Sequence, residues 1–198
     1  MYHPILCRCG RLEGRLSASR PFNRCRCYCA DCQAFARFLG QAEWVLDENG
    51  GSDLIQTTPS GITLTRGRDQ LACVRLSPRG MRRWYAACCH TPIGNTLASR
   101  QLPFVGLSHG CLEDGTTTIE ARFGPTRMIT HTGSAIGRKA PASGGVMGGT
   151  LKIIALMTKE RLTGRYRQTP FFDASGTPVV APRVLTPTER AALKRLPV

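Results

Sequence analysis

Apolar and polar positions change period along the chain. Ile62–Arg66, Leu71–Leu76 and Arg82–Ala87 are strand-like segments, and Ser77-Pro78-Arg79-Gly80 joins the last two as a hairpin-like turn. Residues 11–17 alternate weakly and read as a strand, and further short strands are expected at 102–107 and 117–123. In 31–39 the spacing is helical: Phe35, Phe38 and Leu39 share one face, Asp31 is placed to cap the segment and Gly40 to stop it. Residues 47–52 read as a turn. The stretch 133–149, rich in Gly, Ser, Ala and Pro, reads as a connection or loop. Beyond it, Leu151, Ile154, Ala155, Thr158 and Leu162 predict a helix over 150–162. Thr186, Pro187 and Glu189 form a capping box that opens a terminal helix.

A chain of 198 residues is long enough to bury its own core. No apolar run approaches the ~20 residues of a membrane span, and no leader-like apolar segment is present, so no membrane association is expected. The 10 cysteines change the picture more. In a chain without a leader they argue for a reducing, cytoplasmic setting, where clustered thiols more often bind metal than form disulfides. All lie in the first 111 residues, which suggests a cysteine-bearing domain over 1–132, the connection 133–149, and a C-terminal extension, 150–198, packing on the core. The net charge of +14 is spread evenly and carried mostly by Arg. It suits an anionic ligand, either a small carboxylate-bearing thiol or a nucleic acid.

Cys27-Tyr28-Cys29-Ala30-Asp31-Cys32 lets one loop and the first turn of a helix aim three sulfurs at one ion. A fourth position is then filled from elsewhere or left open, as in catalytic zinc sites, and soft thiolates favour zinc over magnesium or calcium. Cys7-Arg8-Cys9-Gly10 and Cys88-Cys89-His90 supply a second set, expected to fasten the N-terminus to a distant hairpin. Adjacent cysteines are awkward on one ion, so His90 or Cys25 is an alternative ligand there. Cys73 reads as core and Cys111 as an ordinary thiol. The four histidines form no H-x-x-x-H pair.

Cys7-x-Cys9-Gly10, Cys27-x-Cys29-x-x-Cys32 and Arg83-Trp-Tyr-Ala-Ala-Cys-Cys89-His-Thr-Pro92, in this order, resemble the glutathione-dependent formaldehyde-activating enzymes, a family that includes centromere protein V. The resemblance covers residues 5–111. It implies a mainly β fold, a β-tent of small antiparallel sheets around zinc sites, with short helices and here a helical C-terminal extension. It also implies two Zn2+ ions per chain and a carbon–sulfur lyase reaction joining glutathione and formaldehyde as S-hydroxymethylglutathione. Cys7 and Cys9 match the structural zinc pair, and Cys27, Cys29 and Cys32 match the catalytic array. Cys89 matches the second knuckle cysteine, followed by Thr91-Pro92. The chain departs from the pattern at Ala86, where the first knuckle cysteine is expected, and at His90, where a glycine is; Cys88 is the nearest substitute ligand. The alternative is a non-catalytic, zinc-stabilised binding module whose basic surface meets a nucleic acid. Residues 167–173, including Phe171 and Phe172, read as an aromatic strap on the core.

Overall fold

The computed structural model describes residues 1–137 and 141–195. The strands are β1 (Tyr2–Leu6), β2 (Glu13–Ser17), β3 (Asn23–Cys27), β4 (Ser52–Thr57), β5 (Ile62–Arg66), β6 (Leu71–Arg75), β7 (Arg82–Ala86), β8 (Pro92–Thr96), β9 (Val105–Ser108), β10 (Met128–Thr130) and β11 (Arg183–Val184). The helices are α1 (Ala30–Phe38), α2 (Ala42–Val45), α3 (Ile119–Phe123), α4 (Val146–Leu162) and α5 (Pro187–Arg195). The fold is mainly β, as expected, in two sheets. One has the order β1-β2-β5; the other runs β10-β3-β4-β9-β8-β7-β6-β11. Pairing is antiparallel except at the two edges of the larger sheet, where β10 and β11 join in parallel.

The larger core lies between the sheets. Ile5, Leu12, Leu16, Ile55, Trp84, Ile93 and Leu107 fill it, and Phe171 enters it from the C-terminal segment. Burying each such side chain is worth ~1.5–3 kcal/mol, which is why these strands are held in register. The predicted aromatic strap is present: Phe171 and Phe172 are both buried, with ring centroids 5.0 and 6.4 Å from that of Trp84. A smaller cluster joins α1 to α5: Phe35 and Leu39 are buried against Val74, Leu76 and Leu185, with Phe38 partly buried beside them.

Several elements differ from their sequence reading. Residues 117–123 hold a helix, not a strand. Thr118 caps it by accepting from the Ala121 N–H at 3.1 Å, Ile119 and Phe123 bury one face, and Gly124 ends it at φ 71°. Helix α4 begins at Val146, inside the segment read as a connection, and residues 138–140 of that segment lie outside the described residues, as do 196–198. The face of α4 marked by Leu151, Ile154 and Leu162 is exposed. Its buried residues are Gly149 and Glu160. Gly149 lets the helix backbone press on Asn23 and Met128, where a Cβ would meet the Met128 sulfur at 2.8 Å. Glu160 is ion-paired with Arg20 at 2.8 Å and takes a hydrogen bond from Ser60. Close backbone approach and a buried ion pair thus override the apolar pattern. The capping box of α5 forms as read, with the Thr186 N–H donating to Glu189 at 2.8 Å and the Glu189 N–H to Thr186 Oγ1 at 3.2 Å. Among the described residues no helix is long and apolar enough to cross a membrane.

Candidate metal centres

Among the described residues, two groups of cysteines are able to hold a metal ion. In the first, the ligand atoms of Cys7, Cys9, Cys88 and Cys89 all lie within 4.8 Å of one another. Cys7 and Cys9 follow β1, whose turn is closed by the Gly10 N–H to the Cys7 carbonyl at 2.9 Å. Cys88 and Cys89 follow β7 in a tight turn, where the His90 N–H donates to the Ala86 carbonyl at 2.8 Å and the Ala86 N–H to the Thr91 carbonyl at 2.9 Å. His90 has φ 56°, the left-handed region that glycine favours. The turn geometry expected of a knuckle glycine is therefore kept by a histidine. Cys88 brings to the group a sulfur that Ala86 cannot supply, and the adjacent cysteines both belong to it.

Sulfur separations are 3.6 Å for Cys7–Cys9, 3.8 Å for Cys7–Cys88, 3.3 Å for Cys9–Cys88 and 3.8 Å for Cys88–Cys89. A tetrahedral ion with metal–sulfur bonds of ~2.3 Å needs sulfurs about 3.8 Å apart, so the donor set fits zinc. Donors already point at the sulfurs: the Leu12 N–H reaches Cys7 at 3.2 Å, and the Thr91 hydroxyl lies 3.1 Å from the Cys89 sulfur. Burial works against ionising Cys89, yet the hydrogen bonds from Thr91 and the Cys9 backbone bring its thiol down to about 6. His90 and Cys25, the alternative ligands, stand outside this group.

The second group is Cys27, Cys29 and Cys32, again within 4.8 Å of one another. Cys27 ends β3. Cys29 is the N-cap of α1, the place Asp31 was expected to fill, and its sulfur accepts from the Cys32 N–H at 3.4 Å. A thiolate here meets the positive end of the helix. Asp31 instead pairs with Arg190 of α5 at 3.0 Å and with the buried Arg83 at 3.8 Å. Cys32 is held well below its usual range, first by hydrogen bonds from Cys27 and Cys29 and then by the charge of Arg83. Cys27 is pushed up, first by its hydrogen bonds with Cys29 and Cys32 and then by burial. Metal binding at such a cluster would release its remaining thiol protons.

Arg83 is buried, with Nη1 3.9 Å from the Cys32 sulfur and 3.2 Å from Asn95 Oδ1. Its Nε and the Ser108 hydroxyl are buried without a partner among the described residues. Both residues line a narrow void of about 10 Å³ beside Cys32, walled by Phe35 and Leu54, with room for about one water. A larger pocket of about 350 Å³ holds Arg24, Arg26, Trp44, Asp53 and His109. Because side chains alternate along β3, it opens on the face opposite Cys25 and Cys27.

Cys25, Cys73 and Cys111 are buried outside both groups, Cys73 in the core as read. Sequence reasoning passed over His131. Its Nδ1 lies 3.7 Å from the Cys27 sulfur, brought there by the parallel pairing of β10 with β3. No local spacing signals a contact between residues so far apart in the chain.

A family model described as "Family of unknown function (DUF6151)" matches residues 1–182. No curated protein matches the chain. Among solved structures, a Rhodobacter sphaeroides protein determined as a Northeast Structural Genomics target is similar, at 17% identity and a TM-score of 0.41, over 58% of this chain and 90% of that one. A match that runs unbroken through both cysteine groups and the Phe171–Phe172 strap makes the chain a member of the DUF6151 family.

Proposed function

We propose that Cys27, Cys29 and Cys32 hold a zinc ion with its fourth position available to a substrate thiol. On this reading the protein forms or splits a thiol–aldehyde adduct, such as that of glutathione and formaldehyde. The observation that carries it is the contrast between the groups: four mutually close sulfurs in one, three in the other. A full set of protein ligands suits a structural site, and an incomplete set suits catalysis. The resemblance of the motif order to the formaldehyde-activating enzymes supports the same reading.

A zinc ion bound there supplies a thiolate at neutral pH from a thiol that is otherwise mostly protonated. The chain's own residues do the rest. Arg83, beside Cys32, offsets the negative charge of the sulfurs. Phe35 and Leu54 wall the adjoining void and limit water. Asn95 orients the Arg83 guanidinium by accepting from Nη1. In the reaction a sulfur–carbon bond forms, the carbonyl π pair moves to oxygen, and the proton released by the thiol ends on that oxygen. The lyase direction reverses each step.

The test mixes the protein with glutathione and formaldehyde and follows adduct exchange by NMR against Cys29→Ala. Acceleration lost in the variant supports the reading, and equal rates overturn it. The net charge of +14 favours a second reading, a zinc-stabilised module that binds nucleic acid. That reading requires steeply salt-dependent binding that survives Cys29→Ala.

A further inference from the structure

β10 lies parallel to β3 with Thr130 opposite Cys27, and the Tyr28 N–H donates to the Thr130 carbonyl at 3.1 Å. The backbone at 130–131 is therefore fixed beside the first of the three sulfurs. The next residue, His131, has φ 57°, a conformation that residues with side chains rarely adopt. Its side chain is exposed, and Nδ1 stands 3.7 Å from the Cys27 sulfur and 3.1 Å from Thr130 Oγ1. With zinc–sulfur bonds of ~2.3 Å and zinc–nitrogen bonds of ~2.0–2.1 Å, the sulfur–nitrogen edge of a tetrahedral site is about 3.6 Å.

We propose that His131 is a displaceable fourth ligand of the ion held by Cys27, Cys29 and Cys32, bound through Nδ1 until a thiol takes its place. The proposal rests on the zinc reading of that group. In the tautomer protonated at Nε2, the Nδ1 lone pair is able to ligate once the ring turns from Thr130 Oγ1 towards the sulfurs. His131 is not one of the atoms mutually within 4.8 Å, so the ring reaches Cys27 first and completes the site by side-chain rotation. An exposed ring is free to make that movement and to reverse it. Cys25 is the other nearby donor, but it is buried among Leu54 and Met128 on the inner side and stands outside the group. A histidine that yields to thiolate keeps the ion from open solvent between turnovers while leaving the exchange position accessible.

The experiment loads full-length protein, labelled at its histidine ring nitrogens, with the NMR-active cadmium isotope. The expected result is two cadmium signals, one of them scalar-coupled to a single histidine Nδ1. That coupling is lost in His131→Asn and in wild-type protein on adding a small thiol, with cadmium stoichiometry unchanged. Asparagine tolerates the left-handed backbone, so this variant keeps the turn. Two cadmium signals with no histidine coupling overturn the proposal and leave the metal reading standing. Cadmium in the four-sulfur group alone overturns both.

Discussion

The ring centroids of Trp84 and Phe171 lie 5.0 Å apart, so the C-terminal segment is seated in the same core as the strand that leads to Cys88 and Cys89. β7 presents Arg83 to Cys32, Trp84 to the core and, just past its end, Cys88 and Cys89 to the first group. Phe171→Ala removes a fully buried ring and is expected to cost ~3–5 kcal/mol in urea unfolding. An effect below about 1 kcal/mol would mean that the strap is peripheral.

The two sulfur groups differ in how much chain they close. Cys7 and Cys9 meet Cys88 and Cys89 across the sheet junction, whereas Cys27, Cys29 and Cys32 belong to one loop and a helix start. Fastening a long loop constrains the unfolded chain more than fastening a short one. Cys88→Ala and Cys29→Ala should each lower metal content from two ions to one. The melting temperature should fall further in Cys88→Ala. Metal analysis and calorimetry on the two variants check both statements, and a larger fall in Cys29→Ala would contradict the assignment of roles.

Arg83 is a charge partner of the three-sulfur group rather than a sulfur donor. Replacing it with Met keeps much of the volume and removes the charge beside Cys32. Loss of such an outer partner typically weakens metal binding ~10–100-fold, and Arg83→Met should do so at this group alone. Competition against a chromophoric chelator, with the four-sulfur group as internal control, measures it.

Cys73, buried opposite Trp84 and apart from both groups, gives an alkaline signature. Burial pushes its thiol from 9.0 up to about 12. Between those values the unfolded chain has lost the proton and the folded chain keeps it, so stability falls as pH rises through that window. Melting temperature should decline above pH 9, with a shallower slope in Cys73→Ala. Identical slopes would show that another group governs the limb.

His90 turns the knuckle with φ 56°. His90→Gly should leave stability unchanged or raise it by up to about 1 kcal/mol, and His90→Val should lower it by ~1–2 kcal/mol, because a β-branched side chain crowds the left-handed backbone. Urea midpoints at constant metal loading decide the order.

The sequence by itself determined what short-range chemistry controls. The alternation of β6 and β7, the capping box of α5, and the spacings that place Cys27, Cys29 and Cys32 on one loop are properties of a few neighbouring residues, and each reads directly. The grouping of Cys7 and Cys9 with Cys88 and Cys89 is an expectation that leaves His90 or Cys25 as alternatives, and the structure brings the four sulfurs together. Tertiary structure decided the rest. The exposed face of α4 follows from the close approach at Gly149 and the burial of Glu160 with Arg20, which outweigh its apolar pattern. Residues 117–123 became a helix because Thr118 caps it and its apolar pair meets the core at helical, not alternating, spacing. Arg83 and His131 reach the sulfurs only because β7 and β10 are laid beside them, and pairing between strands distant in sequence leaves no trace in local spacing.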